Sequence, residues 1–561
     1  MSKTRLLLEK LHMIKKRKMT RFERFIFALV FLGFALLVIF IAYIIWFTAN
    51  NKSVANFLPQ DRTVAFVEFE DFSLPMQMQS NESFSLDKVE SLLKAIYDID
   101  YKNAVSSWAD GRFGITLIKN IDEKSTPVLF METRSRGKTL AFFENLALPE
   151  EKLQKSGSTR LPIYTYPQSR SFSFAFIGPY IFIANSVTPL EVIQEVYEGS
   201  APALTEQKDY QKTLSNLPRN SWIQGYVNYQ ALNFRDNVAL SNIVEPLKYV
   251  IDHFALTVRK NPDGFHFNTF LNMTPDLLAL RQEHRDKTPF AYKLTDYISS
   301  KNIMLYIGGA NLSLEWQNTL DTISNLNPAY GIILEGAIRS QMSKVFGSEV
   351  DLRNDIYPLF EDEYAFSIAG QEDGKRINMS LILSQNDKEF TQAKVEKLMK
   401  GFKYLAAQFA PKLRVVVLPD GTESRELVAD TSRLEETSDT YQGHNITCVE
   451  VKDTSSGFCY AITDDLLIIT NNRDTAAGII DLTISPKYML SQYQPFRQTI
   501  GNLSKVSDEI TFVDLQKSLP MLDSNPYYQF IEPYLKSLNA VSWVKHYFDD
   551  GVSTEGYLLI K

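Results

Sequence analysis

The segment Ile181-Phe-Ile-Ala-Asn185 returns 286 residues later as Leu467-Ile-Ile-Thr-Asn471. Self-similarity at a fixed spacing indicates a duplicated structural unit. The same spacing, or one residue more, relates further segments: 210–214 to 496–500, 226–228 to 512–514, 245–246 to 532–533, and 263–264 to 550–551. Several matches at nearly constant spacing predict that the chain contains two copies of one structural unit.

Each copy has the pattern of an α+β domain with mostly antiparallel strands and helices that cover one face. Each ends in a β-hairpin, whose turn is Asn261-Pro-Asp-Gly264 in the first copy and Phe548-Asp-Asp-Gly551 in the second. The clearest helix is predicted from about residue 388 to 409, where apolar residues recur on one face. The predicted boundaries are listed in chain order: first repeat domain 58–273, linker 274–300, second repeat domain 301–561.

An uncharged, proline-free segment, FIFALVFLGFALLVIFIAYIIWF, occupies residues 25–47. As a helix it is about 34 Å long, enough to cross the ~30 Å hydrocarbon layer of a bilayer. Lipid offers no partner for free backbone groups, so such a segment must be helical. The predicted fold class is therefore α+β, with one N-terminal transmembrane helix followed by two tandem related domains of mostly antiparallel sheet.

The charge distribution predicts which side of the membrane the body occupies. Residues 1–24 carry nine Lys and Arg against two Glu, and the rest of the chain carries 50 Lys and Arg against 64 Asp and Glu. The positive-inside rule makes residues 1–24 a basic cytoplasmic segment and the body extracytoplasmic, on a single-pass protein of the cell membrane. An acidic body also argues against nucleic acid as a partner.

A cleaved signal peptide is the alternative reading of the same N-terminal segment. Ser53-Val-Ala55 fits the small-residue cleavage pattern. The apolar core of a signal peptide is usually about 7–15 residues, however, and this one is longer. The length favours an uncleaved membrane anchor.

The chain has two cysteines, Cys448 and Cys459, which flank the turn-like segment 453–457. That turn places them on neighbouring strands of a hairpin, so they form a candidate disulfide outside the cytoplasm. Two buried free thiols are the other reading, because cross-strand bridging demands a specific geometry.

Several of these features together resemble an uncharacterised bacterial family, the domain-of-unknown-function 3352 family. They are the basic N-terminus, the apolar span, the approach Leu58-Pro-Gln-Asp-Arg-Thr63 to the first strand, and the tandem closing hairpins. The resemblance extends over residues 58–561. It implies a bacterial envelope protein and supplies no catalytic residue.

Motifs for chemistry are missing from the sequence. The six histidines lack zinc-helix spacing, and no phosphate loop or G-x-S-x-G elbow occurs. Ser85-Leu-Asp-Lys88 matches S-x-x-K, but the K-T-G partner is missing and Ser85 is explained as a helix cap. The acidic run Glu361-Asp-Glu363 is explained as a solvated turn. We therefore predict no catalytic, cofactor-binding or metal-binding residue.

The sequence favours a non-enzymatic envelope protein that binds a partner or has a structural role. The partner would be an envelope protein, a lipid or a wall polymer. Two alternatives stay open: a hydrolase-like envelope enzyme with a site between the two domains, where clefts commonly form, and a lipid-carrying protein.

Overall fold

The structure is a computed structural model. The residues that it describes are 53–70, 107–120, 125–146, 151–157, 161–167, 172–232, 251–274, 292–326, 328–346, 349–371, 376–409, 411–419, 421–428, 430–452, 457–505, 507–522, 536–548 and 551–561, together with Lys248 and Phe290.

The described strands fall into two sets that follow the duplication. The strands of the first half are β1 (Thr63–Phe69), β2 (Ala109–Lys119), β3 (Ser125–Thr133), β4 (Gln154–Gly157), β5 (Pro162–Thr165), β6 (Ser173–Ile177), β7 (Tyr180–Ala184), β8 (Ile223–Asn228), β9 (Ile251–Asn261) and β10 (Gly264–Met273). The strands of the second half are β11 (Ile303–Ala310), β12 (Glu363–Gly370), β13 (Ile377–Ser384), β14 (Lys412–Val417), β15 (Glu423–Val428), β16 (Leu434–Tyr441), β17 (His444–Val451), β18 (Gly457–Ile462), β19 (Leu466–Thr470), β20 (Glu509–Asp514), β21 (Leu538–Phe548) and β22 (Gly551–Ile560).

Twenty of these strands form one antiparallel sheet. The first half runs in the order β4-β5-β6-β7-β3-β2-β1-β8-β9-β10. The second half repeats that order as β16-β17-β18-β19-β13-β12-β11-β20-β21-β22. The two halves therefore have the same topology, as the repeat in the sequence implies.

The halves join edge to edge where β10 pairs with β22. The register runs from Gly264 opposite Leu559 to Asn272 opposite Gly551, with Asn268 opposite Glu555 at its centre. Asn268 and Glu555 are equivalent positions of the two copies, so a local pseudo-twofold axis passes between them.

This joint makes the predicted fold class wrong. Two tandem related domains of mostly antiparallel sheet were expected, but hydrogen bonds between β10 and β22 join the strands of both halves into one large sheet. The physical reason is that each closing hairpin ends in a strand with a free edge, and pairing the two edges satisfies both. The predicted transmembrane helix is not shown either: residues 25–47 lie outside the described residues, and no helix within them is long and apolar enough to cross a membrane.

The described helices pack mainly against the sheet. They are α1 (Arg136–Asn145), α2 (Thr188–Tyr197), α3 (Lys208–Ser215), α4 (Leu312–Leu326), α5 (Pro328–Phe346), α6 (Lys388–Phe409), α7 (Arg473–Ile484), α8 (Gln494–Ile500) and α9 (Leu515–Ser518). Single-turn helices lie at Val54–Asn56, Leu204–Glu206, Lys293–Tyr297, Leu352–Ile356, Tyr357–Phe360, Thr431–Arg433, Leu490–Gln492 and Leu519–Leu522.

Local sequence accounts for several of these boundaries. Asn472 caps α7 by accepting a hydrogen bond from the Thr475 amide at 2.9 Å. Pro189 starts α2 in the first turn, where its missing N–H costs nothing. The helix expected at 388–409 is α6. The matched repeat segments 245–246 and 532–533 lie outside the described residues.

Each half has its own apolar core on the helix-covered face of the sheet. Val54 and Leu58 lie fully buried in the first core, and Leu294 and Ile298 occupy the matching place in the second. In each half a short helical turn before the first strand is therefore part of the packed structure. The predicted domain and linker boundaries stay predictions, but residues 292–298 of the predicted linker belong to the second core.

The second half contains elements with no described counterpart in the first. The helical pair α4–α5 lies between β11 and β12, and the hairpin β14–β15 follows α6. The hairpin forms a separate two-stranded sheet.

Candidate functional site

A chain of polar side chains crosses the seam between the two halves. Arg259 on β9 lies 2.8 Å from Nδ1 of His266 on β10, and Nε2 of His266 lies 2.9 Å from Oε1 of Glu555 on β22. A guanidinium only donates hydrogen bonds, so Nδ1 accepts from Arg259, which leaves the ring proton on Nε2, in close contact with the Glu555 carboxylate. Oε2 of Glu555 accepts a further bond from the Ser504 amide at 3.0 Å. The chain thus links both halves of the repeat.

These contacts fix the ionisation of Glu555. Burial raises the pKa of its carboxyl, but the hydrogen bonds from His266 and Ser504 outweigh burial and leave the pKa below its ordinary value. Glu555 therefore stays a carboxylate at the seam. Nearby, burial and the hydrogen bond to Asp263 raise the pKa of Tyr557 to about 12, so this phenol stays protonated and donates across the seam.

The contacts of the seam hold the two halves together, and in this structure they leave His266 no ring nitrogen free to act as a general base. A base needs a free imidazole nitrogen that faces a substrate or nucleophile. Both nitrogens of His266 are already engaged, one with Arg259 and the other with Glu555. His266 is also only 8% exposed. The arrangement stabilises the contact between β10 and β22.

A second polar group lies beside the seam on β9 and β10 and lacks partners among the described residues. Thr257 faces Asn268 across the strands, and His253 faces Asn272. The Thr257 hydroxyl, His253 Nδ1 and the Oδ1 atoms of both asparagines are buried without a hydrogen bond. Burial lowers the pKa of His253, which keeps its imidazole neutral.

The duplication shows that the fold does not require polar residues at three of these four positions. With the spacing of 287 residues, Ala540, Val544 and Leu559 take the places of His253, Thr257 and Asn272. All three are buried apolar side chains of the second core. Aligning the two copies by sequence would have revealed this difference, which the search for motifs missed.

A carboxylate holds the beginning of the first half in place. Glu68 is 4% exposed and accepts hydrogen bonds from Ser53 Oγ at 2.7 Å, the Val54 amide at 3.0 Å and Tyr180 Oη at 3.2 Å. In the second half, Glu363 accepts from the Leu294 amide at 2.9 Å. Glu363 belongs to the acidic run that the sequence analysis interpreted as a solvated turn. The structure instead shows that Glu363 holds the helical turn before β11 in place.

Another buried carboxylate fixes α6. Asp355 accepts hydrogen bonds from the Asp351 amide at 2.8 Å, from Lys394 Nζ at 3.1 Å and from Lys397 Nζ. Burial raises the pKa of Asp355, but the bonds from the lysines and the amide reverse this and lower it. These charges, like those at the seam, are satisfied inside the protein.

The two predicted site residues lie opposite each other. Cys448 on β17 pairs with Cys459 on β18, and a disulfide joins them. Both are almost fully buried. The carboxylate of Glu450 lies near the two sulfurs, but the sulfur atoms are used by the disulfide, so this group does not offer three ligands to a metal ion.

The most exposed apolar surface lies away from these clusters, on the hairpin β14–β15. Leu413, Val415, Val417 and Leu427 are 58%, 49%, 66% and 69% exposed. Leu418, just after β14, is 42% exposed. The first half has only three large apolar side chains as exposed among its described residues, Ile115, Leu129 and Tyr197, and they are scattered.

Fold and site together define a class: a duplicated antiparallel-sheet protein whose buried charges serve its structure. The chain belongs to the family described as "Protein of unknown function (DUF3352)", whose model matches residues 32–408. This confirms the family resemblance predicted from the sequence. The family match ends before the hairpin β14–β15.

Comparisons with other proteins add the following. No curated protein matches the chain. Among solved structures, crystal form I of TP0453 is 7% identical, with a TM-score of 0.25, over 40% of this chain and 80% of that chain. Crystal form III of TP0453 is 8% identical, with a TM-score of 0.23, over 43% of this chain and 88% of that chain.

Proposed function

We propose that this chain is an extracytoplasmic envelope protein, attached to the cell membrane through residues 25–47, that acts by binding a partner and not by catalysis. The observation that carries this proposal is the exposed apolar surface of the hairpin β14–β15. Large contiguous apolar patches on a protein surface mark interaction sites. The hairpin has no described counterpart in the first half, so the duplicated sheet does not need it, and a role in binding accounts for its presence.

The use of the titratable groups supports binding over catalysis. Catalytic acids and bases must face a substrate with a proton to give or a lone pair to receive one. Glu68, Asp355 and Glu555 instead accept hydrogen bonds from the protein itself, and His266 uses both ring nitrogens within the seam. Their arrangement stabilises packing.

The start of the body supports attachment close to a membrane. Val54 is fully buried and Ser53 bonds to Glu68, so the packed structure includes residue 53. Six residue steps separate Phe47, the end of the apolar segment, from Ser53. An extended chain spans about 3.5 Å per residue, so the body lies within about 20 Å of the segment's end.

Protease protection of the full-length chain tests location. Protease added to intact cells, with the outer membrane permeabilised where one is present, should digest the body while a cytoplasmic marker survives. Digestion of the body only after the cell membrane is opened would contradict the proposal. A cysteine placed at Ser2 is the matched control: it should react with an impermeant maleimide only after the membrane is opened.

Catalysis is the second candidate, because titratable groups do converge where the halves meet. A hydrolase would have to release His266 and Glu555 from these contacts to use them as an acid–base pair. A broad hydrolase screen of the full-length protein, in parallel with Glu555→Gln, separates the two functions. Turnover that Glu555→Gln abolishes in a normally folded protein would overturn the binding proposal, and turnover in neither protein supports it.

A further inference from the structure

The hairpin β14–β15 has strand edges without partners among the described residues. Its six cross-strand pairs run from Lys412 opposite Val428 to Val417 opposite Glu423, and neither strand pairs with another described strand. An isolated two-stranded hairpin is at best marginally stable in water, and open edges are templates for pairing with another chain. The hairpin therefore needs a partner to become a stable sheet.

One face of the hairpin carries most of its exposed apolar side chains. Alternation along the strands places Leu413, Val415 and Val417 of β14 on the same face as Leu427, which lies directly opposite Leu413. The other face carries Arg414, which lies 3.6 Å from Glu426 across the strands. A partner strand that continues the apolar face would cover these exposed side chains.

We propose that the partner is a second copy of this chain, joined by antiparallel pairing of β14 with β14 about a twofold axis at Val415. In this register Val415 faces Val415, and Leu413 faces Val417 of the second copy. Apolar and β-branched residues directly opposite each other are favourable cross-strand pairs. The result is a four-stranded sheet in the order β15-β14-β14-β15, in which the three apolar side chains of each β14 form a central apolar strip on one face, flanked by Glu423 and Arg425 of each β15.

Charge and sequence favour this edge over the other. Residues 411–428 carry three basic and three acidic residues, so two hairpins approach without net repulsion although the chain has a charge of −7. Pairing β15 with itself would align a strand that carries three charged residues and would cover fewer apolar side chains than pairing through β14. The strand β14 is thus the self-complementary edge.

A twofold dimer also fits attachment to one membrane, and on this point the inference rests on the proposed function. A closed twofold contact uses the same patch on both subunits. With its axis perpendicular to the membrane, both apolar N-terminal segments enter the same bilayer. The dimer contact itself can be tested in detergent, where its strength does not depend on which side of a membrane the body lies.

Sedimentation equilibrium of the full-length chain in detergent tests the proposal. Val415→Lys places two ammonium groups opposite each other and should raise the dimer dissociation constant at least tenfold. Ile332→Lys is the matched control, because Ile332 is 72% exposed on α5 and lies outside the hairpin. It should leave the dissociation constant unchanged. A wild-type chain that is monomeric at all concentrations, or equal effects of the two variants, would overturn the proposal.

Disulfide trapping in cell membranes tests the register. The native cysteines are bonded to each other, so an introduced cysteine is the free thiol of the chain. Val415→Cys should form a covalent dimer under mild oxidation, whereas Arg425→Cys should stay monomeric. Crosslinking at position 425 but not at 415 would refute pairing through β14. If the chain dimerises through β14 but the protease experiment places its body in the cytoplasm, the dimer proposal stands and only the proposed location is wrong.

Discussion

Replacing Thr257 by valine should stabilise the protein. Thr257 is 2% exposed, and its hydroxyl has no hydrogen-bond partner in the described structure. Leaving a buried polar group unsatisfied costs about 1–3 kcal/mol, and valine has nearly the same shape as threonine without the hydroxyl. The equivalent position of the second half already holds Val544, which is 1% exposed. We therefore expect Thr257→Val to raise the free energy of unfolding by about 1–2 kcal/mol.

Thr499→Val supplies the matched control. Thr499 is fully buried, but its hydroxyl lies 2.6 Å from Ser542 Oγ and donates to the Pro495 carbonyl at 2.9 Å. The same substitution should lower the free energy of unfolding by about 1–3 kcal/mol, because it leaves Ser542 without this partner.

Urea unfolding of the full-length chain in detergent, followed by tryptophan fluorescence, compares the two variants with the wild type. The midpoint should rise for Thr257→Val and fall for Thr499→Val. A fall of equal size for both would refute the reasoning, because it would mean that the Thr257 hydroxyl is satisfied in solution.

Three further predictions concern the disulfide and the buried carboxylates. Replacing Cys448 and Cys459 together by alanine should lower the free energy of unfolding by about 3 kcal/mol, the loop-closure value for a separation of 11 residues, as measured by denaturant titration. Asp355→Asn should lower it by about 1–3 kcal/mol, because two lysines lose a buried charged acceptor, and the same titration at high salt should show a smaller difference. The pKa of Glu555 is lower in the folded protein than in the unfolded chain. Its contribution to stability is therefore complete above the unfolded pKa and is lost as the pH falls through the folded pKa. Glu555→Gln should flatten the pH dependence of the unfolding midpoint below about pH 5.

The sequence predicted the parts of the fold that depend on local pattern. The helix at 388–409 follows from the spacing of its apolar residues, and the hairpins at 261–264 and 548–551 follow from their turn residues. The repeat spacing also predicted that the halves share a topology. Each of these features is encoded within a segment or in the comparison of two segments.

The joining of the halves was not encoded in this way. Alternation in β10 shows that one face is buried, but it does not show which strand lies at each edge. Pairing between β10 and β22 depends on backbone groups, which every sequence has. For the same reason the cluster of Arg259, His266 and Glu555 carries no motif, since nearly 290 residues separate its two halves along the chain.

Pairing through the seam explains why the asymmetry of the two halves lies where it does. Joining β10 to β22 removes two open edges and leaves β4 and β16 as the outer strands of the sheet. The seam is satisfied by internal hydrogen bonds, so a new binding surface is more easily added at a distance from it. The hairpin β14–β15 is such an addition, and it lies in the chain directly before the outer strand β16. Because the seam does not use the hairpin, the proposed pairing of two copies leaves the contacts between β10 and β22 unchanged.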